Sequence, residues 1–226
     1  MQLSIINGSP RGKSGNSAKL LEHFIKGFLE TEGNSVEILH SIKDRPDFTP
    51  EKERFVISER LLIAFPLYVD AMPGSVKELF ESFAPLKGKN PGLKLMFMIQ
   101  CGFPETQHTR FVARYCEKFA RKLGCEPAGL ICKGGCEGLT VQPPALVDKV
   151  LKRFYELGKA YGQTGELDDT ILTKLAHPEH LTSENLKQVI PMVNGFLWDD
   201  WMKKNNATEK SFDKPYETIQ KIVVPE

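Results

Sequence analysis

The sequence predicts an α/β protein built on one parallel sheet with helices on both faces. Short apolar runs alternate, over roughly the first 160 residues, with stretches whose apolar residues recur every three or four positions. Polar turns rich in glycine and proline separate them. Five strand and helix pairs in alternation predict a doubly wound sheet with strand order 2-1-3-4-5.

The individual elements follow from these patterns. The apolar runs predict strands at 3–6, 35–39, 61–66, 93–100 and 128–132. The helical patterns predict helices at 14–32, around 76–80, at 106–123 and at 145–161. The charged segment 40–54 contains two prolines, which predicts a connection with at most one short helix.

The pattern changes after Gly162, so we expect two parts, an α/β domain at 1–162 and a helical extension at 163–226 that packs on the domain or on a second subunit. Within the extension, 168–175 and 183–204 are predicted helices. Pro191 and Gly195 predict a kink or break in the longer one.

Composition limits the possible partners. The 226 residues include 41% hydrophobic residues, enough for a core, and the formal net charge is only +1. A charge this small argues against nucleic acid or an anionic membrane as a partner. With no secretory signal and no apolar window of 18 residues, we expect a cytoplasmic protein. Its five cysteines are expected to be reduced thiols.

The loop after the first strand suits an anion. It combines small residues and hydroxyls with one amide and two cations: Gly8, Ser9, Arg11, Gly12, Lys13, Ser14, Gly15, Asn16 and Ser17. Backbone N–H groups, hydroxyls and charge together can surround a phosphate. The spacing fits neither the Walker A motif nor the dinucleotide fingerprint. The alternative is a surface loop with one serine or asparagine helix cap.

The motif G-S-P-R-x-x-S-x-N-S at 8–17, directly after a strand, resembles the phosphate loop of flavodoxin-like flavoproteins. The similarity is to the branch of NAD(P)H-dependent FMN reductases and quinone reductases. The resemblance implies that the FMN phosphate binds to six residues: Ser9, Arg11, Ser14, Gly15, Asn16 and Ser17.

Two further loops extend the resemblance. The motif P-L-Y-V-D-x-M-P-G at 66–74 is similar to the loop that wraps the flavin ring in this family, which implies contacts from Pro66, Leu67, Tyr68 and Val69. The turn after the fourth strand implies contacts from Cys101, Gly102 and Phe103. Taken alone, Tyr68 and Met72 could equally close off the core. Loops at the ends of neighbouring parallel strands open on one crevice, which favours the flavin interpretation.

The resemblance implies an enzyme that takes hydride from NADPH or NADH and passes electrons to a small acceptor such as a quinone, a flavin or an azo compound. It also implies a homodimer or a higher homo-oligomer. Two alternatives stay open: an electron carrier reduced by a partner protein, which the near-neutral charge disfavours, and a phosphate-binding module without flavin.

Catalysis is expected to be centred on the flavin, so no general base is assigned, and no metal site is expected. Some members of the family bind an iron–sulfur cluster through cysteines in the region that corresponds to 40–54, and this chain has no cysteine there. Cys132 and Cys136 are too sparse for a closed zinc site, and His177 and His180 lack a third ligand. Cys101 is expected to be a small buried apolar residue.

Overall fold

The computed structural model describes residues 1–40, 47–140 and 144–214. Five strands form one sheet: β1 (Gln2–Asn7), β2 (Ser35–His40), β3 (Arg60–Pro66), β4 (Lys94–Gln100) and β5 (Glu126–Lys133). All neighbouring pairs are parallel and the order is β2-β1-β3-β4-β5. The predicted fold class and strand order are therefore confirmed.

The described residues contain eight α-helices: α1 (Asn16–Phe28), α2 (Thr49–Ile57), α3 (Gly74–Ser82), α4 (Arg110–Leu123), α5 (Pro144–Thr164), α6 (Asp169–Leu175), α7 (Ser183–Pro191) and α8 (Asp200–Lys204). Short 3-10 helices lie at Gly12–Ser14, Ala84–Leu86, Thr106–Thr109, Glu137–Thr140 and Thr208–Lys210. The helix expected within 40–54 is α2, and residues 41–46 of that segment lie outside the described residues.

Two apolar layers cover the two faces of the sheet. One joins the sheet to α1, α5 and α6 and includes Phe24, Phe154 and Leu175. The other joins it to α2, α3 and α4 and includes Phe55 and Phe80. Burial of both faces explains why the central strands are continuous apolar runs.

Helices α1 and α5 touch through their backbones. A Cβ at Gly27 would lie 1.9 Å from the carbonyl oxygen of Tyr155, and a Cβ at Gly158 would lie 1.9 Å from that of Phe24. Only glycine permits this approach. The contact fixes α1, and therefore the loop before it, against the sheet.

Helix α4 buries a different side from the one its aromatic residues occupy. Its buried residues are Val112, Ala113, Cys116, Ala120 and Leu123. The aromatic residues spaced four apart lie on its flank, where Phe111 is 75% exposed and Phe119 stacks on Phe80 with 4.3 Å between ring centroids. Small buried residues let α4 lie close to the sheet.

The chain separates into two compact units, residues 1–180 and residues from 181 onward. In the second unit, α7 starts with a capping box formed by Thr182 and Asn185 and ends at Pro191. A π-helical segment, Met192–Asp199, follows and leads into α8. The α-helical geometry ends at Pro191, but π-helical backbone continues through Gly195 into α8, so the predicted kink or break stays a prediction, as does the predicted domain boundary after Gly162.

Candidate functional site

The candidate site lies at the carboxyl edge of the sheet. There the ends of β1, β3 and β4 are adjacent. The connections that follow β1 and β3 run in opposite directions, so the strand order reverses between these two strands. Open α/β sheets bind ligands at such a switch point. The three loops singled out in the sequence follow these strands: the phosphate loop (residues 8–15), the β3–α3 loop (67–73) and the β4–α4 loop (101–109).

Asn7 organises the phosphate loop from inside. Its side-chain amide donates to the Gly12 carbonyl at 3.0 Å, and its side-chain oxygen accepts from the Ser9 amide at 3.1 Å. Asn7 is fully buried at the last position of β1. No sequence motif assigns Asn7 a role. Its place at the strand-to-loop junction, where buried backbone groups need partners, is the signal that could have done so.

The start of α1 favours an anion. Its N-cap is Gly15, which has no capping side chain, and its first turn contains no acidic residue. The first amides of a helix otherwise need a side chain, water or ligand as partner. Arg11 and Lys13 are exposed beside the helix start. Together with Lys19 they are the three cationic residues of segment 7–21, which contains no acidic residue. Helix dipole and side-chain charge therefore act in the same direction.

The structure separates the predicted phosphate ligands into two groups. Arg11 and Ser14 are exposed and Asn16 is half-buried, whereas Ser9, Gly15 and Ser17 are buried. These six residues do lie together on one loop and the helix start that follows it.

The hydroxyl groups of the loop have different partners. Ser14 donates its hydroxyl to the Arg11 carbonyl at 2.9 Å, so that proton is already used within the loop. Ser9 accepts from the Arg11 amide at 3.3 Å, and Ser17 accepts from the Gln100 side chain at 3.3 Å. Ser17 is fully buried. It therefore supports the loop from below and joins it to the end of β4.

The β3–α3 loop contains a tight turn at its exposed tip. Tyr68 and Ala71 exchange backbone hydrogen bonds of 2.8 and 3.2 Å around Val69 and Asp70, whose φ angles are +52° and +58°. Two consecutive positive φ values are typical of a type I′ turn and are unfavourable for a β-branched residue. Val69 is 97% exposed, and Tyr68 is 44% exposed. Strain of this kind concentrates at functional sites.

The β4–α4 loop has one exposed side. Cys101 is buried, and its amide donates to the Lys133 carbonyl at 2.9 Å, so the amides of Gly102 and Phe103 are the remaining candidates for a ligand. Phe103 is 56% exposed. Burial raises the pKa of the Cys101 thiol to about 11, which keeps it protonated and unreactive at neutral pH.

A histidine that the sequence analysis did not single out joins these two loops. His108 Nδ1 lies 3.0 Å from Asp70 Oδ1, and its Nε2 lies 3.7 Å from Glu105 Oε2. Its ring stacks on Phe103 with 4.6 Å between centroids. Nothing in the local sequence indicates a contact between residues 38 positions apart.

The turn after β5 packs against the β4–α4 loop. A Cβ at Gly134 would lie 2.7 Å from the Pro104 carbonyl oxygen, and the Gly135 amide donates to the Phe103 carbonyl. Gly134 and Gly135 therefore form a close-packed turn. Beside it, Lys133 is buried, and burial lowers the pKa of its ammonium group.

All five cysteines are free and buried. Burial raises the pKa of Cys125 to about 11 and of Cys136 to about 12. In the described part of the chain, no group of three or more potential metal ligands comes together. No described helix is long and apolar enough to cross a membrane.

These residues fit a flat, phosphorylated cofactor such as FMN. An uncapped helix start with two exposed cations suits the phosphate, and two neighbouring loops with exposed amides and aromatic residues suit a planar ring.

Sheet order, helical layers and site position define the chain as a flavodoxin-like α/β protein. The solved structure of a flavone reductase is similar to this one over 100% of each chain, with 12% sequence identity and a TM-score of 0.57. An azoreductase from Bacillus anthracis str. Sterne covers 71% of this chain and 99% of its own, with 11% identity and a TM-score of 0.53. An NADH:FMN oxidoreductase in its apo form covers 78% and 96%, with 16% identity and a TM-score of 0.52.

No protein-family model and no curated protein matches the sequence. The likeness to the solved structures, at these identities, shows the fold.

Proposed function

We propose that this protein is an FMN-dependent oxidoreductase that takes hydride from NADPH or NADH and passes electrons to a small acceptor such as a quinone, a flavin or an azo compound. One observation carries the proposal: an uncapped, cation-flanked helix start and two neighbouring loops lie at the ends of three adjacent strands.

The phosphate of FMN binds at the start of α1. The first-turn amides of Asn16 and Ser17 lie at the N-terminal end of α1, where the helix dipole favours an anion. The exposed side chains of Arg11 and Lys13 add charge. Ser9 and Ser17 act mainly by shaping the loop, since both are buried and both hydroxyls accept hydrogen bonds from the protein.

The flavin ring binds between the β3–α3 and β4–α4 loops. The amide of Leu67 already donates to the Gln100 carbonyl at 2.7 Å, which fixes the bases of the two loops together. Contacts to the ring then come from the exposed tip at Tyr68 and Val69 and from the amides of Gly102 and Phe103. Pro66 and Cys101 are buried and act as the rigid support.

The bound flavin supplies the hydride chemistry. The protein binds and orients the cofactor, and its amides and cations stabilise negative charge on it. We assign no acid or base to the hydride transfer, and the buried thiol of Cys101 stays protonated.

Several proteins with similar structures support this class of reaction. They include an azoreductase, an NADH:FMN oxidoreductase and a flavone reductase. We further propose a homodimer or a higher homo-oligomer, as the resemblance in the sequence implies.

Anaerobic reduction of the FMN-loaded protein tests the proposal. Rapid bleaching of the flavin absorbance by NADPH or NADH, followed by reoxidation with a quinone, is the expected result. Bound flavin that both nucleotides reduce only slowly, with a long-lived one-electron state, would instead identify an electron carrier. A protein that binds no flavin would contradict both functions.

A further inference from the structure

The imidazole of His108 contacts both loops that flank the proposed ring site. Its Nδ1 lies 3.0 Å from Asp70 Oδ1 in the β3–α3 loop, while Glu105 and Phe103 of its own loop contact its other nitrogen and its ring face. The His108 side chain is 25% exposed and that of Asp70 is 58% exposed. A side-chain contact with this exposure adds little to global stability, so a structural explanation from fold stability alone is weak.

The backbone around His108 is held firmly from several directions. The amides of Thr106 and Gln107 donate to the carbonyls of Pro178 and Glu179 at 3.0 and 3.2 Å. The Gly134 amide donates to the Thr106 hydroxyl at 2.9 Å. The backbone at His108 is therefore held in place. Of the two loops, the turn that carries Asp70 is the one whose position the contact can set.

The turn around Asp70 is well suited to being positioned. Its backbone is closed locally by the two Tyr68–Ala71 hydrogen bonds, and its base is attached to β4 through Leu67. The tip, Val69, projects almost fully into solvent. A short rigid turn attached at its base rotates as a unit, and one side-chain contact near the tip is enough to fix its angle.

We propose that His108 is a positioning residue: through its hydrogen bond to Asp70 it sets the distance between the β3–α3 and β4–α4 loops, and thereby the affinity for the flavin ring. The proposal rests on the proposed function. The contact holds the Tyr68–Val69 tip at one separation from Phe103, whose own ring is oriented by stacking on the imidazole. The ring site is then formed before the cofactor arrives, which reduces the ordering cost of binding.

Riboflavin has the flavin ring but lacks the phosphate of FMN. Comparing the affinities of the two ligands therefore distinguishes effects on ring binding from effects on phosphate binding. We expect Asp70→Gly and His108→Phe each to weaken both ligands by the same factor, about five-fold, and the double variant to be no weaker than the weaker single variant, because both remove one contact. Gly tolerates the positive φ of residue 70 and has no side-chain acceptor, and Phe keeps the stack on Phe103. His108→Gln, whose amide can donate to Asp70, should recover most of the affinity.

Further readouts distinguish positioning from a general effect on folding. The melting temperature without flavin should change little in Asp70→Gly, and the matched control His180→Phe, at an exposed position in the same compact unit, should leave riboflavin affinity unchanged. Independent, additive losses, or unchanged riboflavin affinity in both single variants, would overturn the inference while leaving the proposed function intact. A wild-type protein that binds neither ligand would overturn the proposed function itself.

Discussion

The side chain of Gln100, at the end of β4, donates a 3.3 Å hydrogen bond to the hydroxyl of Ser17 in the first turn of α1. Both residues are buried, Gln100 to 6% exposure and Ser17 to none. The bond joins the strand that leads into the β4–α4 loop to the helix that starts at the phosphate loop. One buried polar contact thus connects the two halves of the proposed cofactor site.

Ser17→Ala is expected to destabilise the fold by about 1–2 kcal/mol, because it leaves the buried Gln100 amide without its acceptor. For a chain of this size the melting temperature should fall by roughly 2–4 °C for each kcal/mol. Ser14→Ala is the control, since Ser14 is exposed. Equal melting temperatures for both variants would show that the contact between Gln100 and Ser17 is not needed.

Charge in the phosphate loop should affect FMN and leave riboflavin unaffected. Arg11→Ala with Lys13→Ala is expected to weaken FMN at least about tenfold, or about 1.4 kcal/mol, since only FMN carries the phosphate. Asn16→Ala with Ser17→Ala should weaken FMN by at least about the same factor. Titration of flavin fluorescence checks both, with exposed Lys118→Ala as control. Equal losses for riboflavin would contradict a phosphate role for Arg11 and Lys13.

Gly158→Ala is expected to cost about 3 kcal/mol or more, because its Cβ would lie 1.9 Å from the Phe24 carbonyl oxygen and backbone cannot move aside as a side chain can. Gly92→Ala, where no atom lies within 4 Å of the added Cβ, is the matched control. Urea unfolding measures both. A stable Gly158→Ala protein would mean that α1 and α5 are further apart.

The turn at Val69 should be improved by a residue that tolerates positive φ. Val69→Asn is expected to stabilise the protein by about 1 kcal/mol, because a β-branched residue is strained there and Asn is favoured in such turns. Thermal melting checks this, and Val56→Asn, an exposed helical position in α2, serves as control. An unchanged or lower melting temperature for Val69→Asn would indicate another turn conformation.

The ion pair between Arg110 and Glu179 predicts a pH dependence. The hydrogen bond from Arg110 holds the pKa of Glu179 below its usual range, so the pair stabilises the protein above the unfolded pKa, near 4.5, and less as pH falls through the lower folded value. The free energy of unfolding should be larger for wild type than for Glu179→Gln at pH 7, and this difference should shrink below about pH 4.5. Both groups are more than a third exposed, so the difference is small. A constant difference from pH 7 to pH 3 would contradict the pairing.

Much of the fold could be predicted because its periodicities are strong. Continuous apolar runs predicted strands such as β3 and β4, and turn residues marked where each element ends. The connection rules for parallel sheets then predicted the strand order. The end of α7 at Pro191 was predictable from the local sequence, since proline has no amide hydrogen for the α-helical hydrogen bond.

The less predictable features depend on tertiary contacts. A sequence cannot show that Ser17 turns inward to Gln100 while Arg11 stays exposed, because both residue types occur in phosphate loops. The contact between Asp70 and His108 joins two loops whose relative position depends on the whole sheet. The aromatic stripe of α4 has core-like spacing, yet smaller residues occupy the buried side because close packing on the sheet favours them.

Equilibrium titration of the purified protein with FMN, followed through flavin fluorescence and the visible absorbance bands, tests the central claim most directly. We predict saturable binding of one FMN per chain, tighter than riboflavin and weakened by salt, because the phosphate interacts with an exposed cationic helix start. Absence of saturable binding, or equal affinity for riboflavin and FMN at low salt, would contradict the assignment of this carboxyl edge as an FMN site.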